Sequence, residues 1–155
     1  MRPSGFTLIE LMVTIAIFGI LLFIGAPLTK AWTDSAHQRN AAGLLKHGIS
    51  RAKATALRNP GAALDNAPAA VLCRSGQTLK LFSIANAQSI NCASTSNILW
   101  TAQLPASTSA QAAGAEITCV AFNSRGLAVV GGSACTTTAI DVIVGSESAL
   151  NVLII

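Results

Sequence analysis

The chain has 155 residues, 52% of them apolar and only 10% charged, with a net charge of +4. That length allows one modest globular domain, and the mild positive balance favours acidic partners. With two histidines and no Gly-x-Ser-x-Gly, phosphate loop or paired-carboxylate cluster, the sequence lacks the groups that the common enzyme mechanisms need.

The first predicted element begins at Gly5-Phe6-Thr7-Leu8-Ile9-Glu10 and stays apolar to Ala26. Residues 6–26 number 21 and carry one formal charge, Glu10. As a helix they extend ~31 Å, enough to cross a bilayer core. A carboxylate inside a span is costly and marks function, so Glu10 needs a partner. Cleavage after Gly5 would create one, a free α-amine on Phe6 four residues before it. An ordinary secretory signal has an apolar region of about 7–15 residues with a small-residue cut behind it. This run is longer, carries an acid near its start and continues into an amphipathic helix. Arg2 is the only charge ahead of the span, and Lys30 lies beyond it, so charge alone orients the span weakly.

Residues 27–60 continue the helix. Pro27 lacks a backbone donor and is expected to kink or open it. Lys30 and Trp32 stand where a cation and an aromatic suit the membrane interface. From Thr33 to Arg58, at 100° per residue, Ala41, Leu45, Ile49, Ala52 and Ala56 fall on one side. Arg39, Lys46, His47, Arg51, Lys53 and Arg58 spread over the other. The apolar side is expected to pack on the domain that follows. The basic side is a solvated face, or a contact for anionic lipid, a neighbouring subunit or DNA. Arg74, Lys80 and Arg125 are further candidates for DNA contact. His37 and His47 read as surface residues. Asn59-Pro60-Gly61 ends the helix.

Residues 61–155 form the expected β domain, entered through a connection over 61–69. Candidate strands are Ala70–Cys73, Thr78–Ile84, Asn97–Gln103, Glu116–Phe122, Leu127–Val130, Thr138–Val144 and Ala149–Ile155. Turn signals separate them at Ser75-Gly76, Asn86-Ala87, Pro105, Ser124-Arg125-Gly126, Gly131-Gly132 and Gly145-Ser146. The low-complexity stretch 105–115 reads as a disordered loop. One long helix followed by about seven short strands gives an α+β chain, with two small sheets or one strongly bent sheet. Cys73, Cys92, Cys119 and Cys135 lie beyond the span, and an even count there reads as two disulfides in an oxidising compartment. Three pairings exist. Cys73–Cys92 and Cys119–Cys135 each close a short local loop, worth roughly 3 kcal/mol in the chain-entropy model. A zinc site wants tighter ligand spacing, so neither metal nor cofactor is expected.

The N-terminal motif resembles the class III signal of type IV pilins and type II secretion pseudopilins. The short leader ends in Gly5, and Phe6-Thr7-Leu8-Ile9-Glu10 heads an apolar helix. The resemblance implies a prepilin peptidase that cuts after Gly5 and methylates the amine of Phe6. It also implies that Glu10 of an incoming subunit neutralises a neighbour's amine in the fibre. Two groups costly in lipid then become one cheaper pair. Arg51-Ala52-Lys53-Ala54-Thr55-Ala56-Leu57-Arg58-Asn59 and the Asn123-Ser124-Arg125-Gly126 turn resemble the GspH/FimT-like minor pilins. Two disulfides look more like their FimU-type members. DNA-binding members of that group carry a Gly-Arg-x-Arg near the C-terminus, whereas this chain has no arginine after Arg125. The implied protein is a minor pilin that primes or caps type IV pilus assembly. It sits in the inner membrane as a single pass, with its C-terminal domain in the periplasm, before entering the fibre. Implied partners are other major and minor pilins, the peptidase and the inner-membrane assembly platform. A secretion pseudopilin shares the mechanism, and a DNA-binding minor pilin is the remaining alternative.

Overall fold

The computed structural model describes residues 5–85, 88–130 and 135–154, and of residues 25–28 the backbone only. The expected turns at Asn86-Ala87 and Gly131-Gly132, the leader residues Met1 to Ser4, Ile155 and the side chain of Pro27 lie outside the described residues.

One helix, α1, spans Leu8–Arg58. Thr7 caps it with extended backbone, and its Oγ1 accepts from the Glu10 amide at 3.4 Å. Thr7-x-x-Glu10 thus has the spacing of a capping box, with the acid in the positive first turn. The helical assignment continues through position 27, where the sequence placed a break. A proline inside a helix with strong flanks can bend it without ending it. At the far end Asn59 adopts the left-handed conformation, and its amide bonds Ala56 O and Thr55 O. Its side chain then clamps Ala63, donating to the carbonyl and accepting from the amide. Asparagine tolerates this backbone region because its short side chain bonds locally.

Nine strands follow among the described residues: β1 Pro68–Ser75, β2 Thr78–Ser83, β3 Ile98–Gln103, β4 Thr108–Ala112, β5 Ala115–Glu116, β6 Cys119–Asn123, β7 Ala128–Val129, β8 Ile140–Val144 and β9 Leu150–Val152. They form two antiparallel sheets, in the orders β3-β2-β1-β6-β7 and β5-β4-β8-β9. The chain is therefore α+β, with one long helix packed on two small sheets.

Two expectations change. Residues 105–115 are not a disordered loop, because they hold β4 and open β5, with β4 an inner strand paired to β8 from Thr108↔Val144 to Gln111↔Asp141. The expected strand Glu116–Phe122 is two strands in different sheets, and Ile117-Thr118 carries the chain between them. Ile117 accordingly joins the core under the helix rather than the face of Cys119 and Ala121.

The core sits where α1 meets both sheets. Ala41, Leu45, Ala52 and Ala56 are fully buried and Ile49 nearly so, the apolar side that the helical period defines. They meet Leu72, Leu79, Leu81, Val120 and Phe122 of the first sheet and Ala110, Ile140, Val142 and Val152 of the second. Gly48 lets the backbones approach, since a Cβ there would stand 3.0 Å from Leu72 Cδ2 and 3.1 Å from Trp100 Cζ3. The outer face of the first sheet buries Val71, Cys73, Phe82, Cys119 and Ala121 beneath Cys135 and Ile84. Both faces of that sheet are thus apolar, which is why β6 reads as a continuous hydrophobic run.

Candidate functional site

The N-terminal segment is exposed from Gly5 to Ile24. Phe6 is 83% accessible, and the large apolar residues that follow all stand outward. The 18-residue window that marks this part has a mean hydropathy of 2.6, and none of it is buried in the protein. A helix apolar all round with nothing packed on it is suited to lipid or to other helices. The second half of the helix instead buries one side against the sheets. One helix therefore carries two kinds of surface.

Gly5 stands free. A Cβ placed on it would meet nothing within 4 Å, so this fold does not itself demand glycine there. Glu10 is exposed in the first turn, with no ion pair to its carboxylate among the described residues. Thr7 was not singled out for capping by sequence reading, although the Thr-x-x-Glu spacing carries that signal.

The four cysteines pair locally, Cys73 with Cys92 and Cys119 with Cys135, with Cα separations of 5.4 Å and 4.5 Å. Cys73 and Cys119 are also register partners on adjacent strands. The two bridges therefore leave the sheet side by side and fasten both outer loops to its inner strands.

The basic residues of α1 do not share one face. Arg39, Lys46, Arg51 and Arg58 are exposed and Lys53 half-buried. Lys46 lines a cleft with Ile49, Ser50, Asn151 and Leu153 on the β9 flank. Arg51 and Arg58 line another with Trp100 and Leu99 on the β3 flank, where the Arg51 guanidinium lies 5.7 Å from the Trp100 ring centre. Lys53 lies against the Gly126 turn. Of the three further candidates one changes. Arg74 is buried rather than available, pairing with Glu116 at 3.0 Å and donating to Thr108 O at 3.1 Å. Arg125 is exposed and forms a surface pair with Asp65 at 2.8 Å, and Lys80 is half-buried. Arg74 instead ties the first sheet to the second, and the guanidinium holds the Glu116 carboxyl below its usual range, with Ser109 Oγ assisting.

Residues 1–26 match the model of the prokaryotic N-terminal methylation motif. No curated protein and no solved structure matches the chain. The matched segment is a type IV pilin-like prepilin signal, and the motif points to type IV pilin-like and pseudopilin proteins. With the apolar helix behind it, it is consistent with membrane anchoring and with assembly among proteins of that class.

Proposed function

We propose that this chain is a minor pilin, a structural subunit that primes or caps assembly of a type IV pilus. The observation that carries the reading is the methylation signal at the head of one continuous helix. The first half of that helix is bare and apolar, and the second half docks on a disulfide-bonded β domain. The chain waits in the inner membrane as a single pass with its domain in the periplasm. A prepilin peptidase cuts after Gly5 and methylates Phe6. The new amine and Glu10 then form pairs between neighbouring subunits, which fix register as the helix is extracted into the fibre by the assembly platform. The chain acts by contact with other pilins rather than by catalysis. Both histidines stand exposed on α1.

A DNA-binding role is less favoured. The cations of α1 face both flanks, and Arg74 is buried against Glu116. The test is a count of surface pili on cells lacking this chain, against a complemented strain. A sharp loss restored by complementation supports the pilin reading. Unchanged pili with a secretion defect would assign the chain to a type II secretion pseudopilus, and unchanged pili with unchanged secretion would defeat both.

A further inference from the structure

The two disulfides meet at one place on the outer face of the first sheet. Cys73 on β1 and Cys119 on β6 are register partners, each bonded to a different cysteine. The hydrogen bonds around them define what kind of pair they are. Arg74 N donates to Thr118 O at 2.8 Å, so the bonded pair is the next one along. The Cys119 carbonyl accepts from Thr136 N at 2.9 Å, and so does not face Cys73. Cys73 and Cys119 therefore form a non-hydrogen-bonded pair, the kind in which Cα atoms approach to about 4.5 Å and side chains stand closest. That separation lies within the span of a disulfide, about 4.4–6.8 Å between Cα atoms. The sheet thus holds two cysteines, bonded elsewhere, at a spacing that suits a bond between them.

The four sulfur-bearing residues differ in access. Cys73, Cys119 and Cys135 are 1%, 3% and 5% accessible, whereas Cys92 is half-buried at the margin of the same cluster. Cys92 Sγ lies 4.0 Å from the carbonyl oxygen of Thr118, the residue before Cys119. A thiol arriving from solution therefore reaches Cys92 before the other three. Exchange at Cys92 makes Cys73 the leaving thiolate, and the thiolate is the form of cysteine that attacks a disulfide. The register partner of that thiolate is one end of the Cys119–Cys135 bridge.

We propose that the two bridges form a single exchange unit, switched by a small thiol. The sulfur of that thiol, as thiolate, bonds to Cys92 Sγ, and the Cys73–Cys92 bond breaks with its electron pair on Cys73. Cys73 Sγ then bonds to Cys119 Sγ. The Cys119–Cys135 bond breaks, its electron pair passes to Cys135, and that sulfur takes up the proton the small thiol gave up. Two disulfides and one thiol enter the sequence, and two disulfides and one thiol leave it: the mixed disulfide at Cys92, the cross-strand Cys73–Cys119 bridge and the Cys135 thiol. The number of disulfides is unchanged, so an oxidising compartment does not oppose the step. Both outer loops lose their covalent tie in one sequence, while β1 and β6 gain one. The inference goes beyond the pilin reading and does not depend on it.

The test uses the full chain in detergent with both bridges formed. A limiting amount of glutathione is added at about pH 8, where a thiol of ordinary pKa is partly ionised. Samples are quenched in acid, unfolded, alkylated and mapped by mass spectrometry. The expected product carries a Cys73–Cys119 link, glutathione on Cys92 and the alkyl label on Cys135. Label on Cys73 with the Cys119–Cys135 bridge intact overturns the proposal, and so do bridges that do not react with glutathione. Cys92→Ser supplies the Cys73 thiol without any reagent. In that variant the label should shift from Cys73 to Cys135 in the chains that gain the cross-strand link, and label confined to Cys73 overturns the proposal. Where Cys92→Ser does not fold, the reaction of the unaltered chain decides.

Discussion

Gly5, Phe6 and Glu10 are three residues whose identities the folded domain does not require. Gly5 has open space where a side chain would go, so Gly5→Leu should leave folding untouched and block leader removal. Gel mobility reads this, and wild-type processing of the variant would count against the cut. Glu10→Ala should insert and be processed yet enter fibres poorly, and normal incorporation would defeat the charge-pair account. The motif was legible because it consists of consecutive residues. Other single residues were not. Arg74 looked like a surface cation until β1 and β4 placed it between the sheets, which depends on pairings between distant segments. Its partner Glu116 has a lowered pKa, first through the Arg74 hydrogen bond and then through its charge. A carboxyl depressed in the folded state stabilises above its unfolded pKa, about 4.3, and loses that contribution as pH falls through the folded value. Glu116→Gln should therefore be less stable at pH 7, and the difference should vanish in strong acid. With the Glu116 side chain 60% accessible, the effect should stay under about 1 kcal/mol. Melting curves at both pH values check it.

The elements were readable to the extent that burial followed a regular period. The second half of α1 buries one side only, so its 3.6-residue pattern named five core residues. β8 alternates Ile140, Val142 and Val144 inward and was equally plain. β4 was hidden because Thr-Ser-Ala-Gln-Ala has neither bulk nor β-branched runs, and its strand exists through pairing with β8. The hairpin behind it was hidden too. Ala113 and Gly114 both have positive φ, 52° and 81°, as a two-residue type I′ turn requires, but alanine carries no such signal. Ala113→Asn should relieve that strain and raise stability by up to about 1 kcal/mol, and a lowered Tm would argue against the turn geometry. At the helix–sheet contact, Gly48→Val should cost about 1–3 kcal/mol, because buried Leu72 on an inner strand has little room to yield. An unchanged Tm would show that the contact is looser than described.

At the scale of the whole molecule, the sequence pointed to a bare apolar head, a helix and a β domain, and left open whether the strands made one sheet or two. What decided it was register. The chain leaves the second sheet after Glu116 and enters the first at Cys119, and no local pattern marks that step. The same is true of the paired bridges, whose adjacency comes from Cys73 facing Cys119 across two strands. The long helix has a further consequence, a mechanical one. α1 packs against β1, β2 and β6 of one sheet and against β4, β8 and β9 of the other. Traction applied through its bare N-terminal half therefore divides between the two sheets before it reaches either outer loop. Those loops are fastened by covalent bonds to strands beside the helix, so the outermost parts of the domain would hang from α1 by links that stretching does not easily undo.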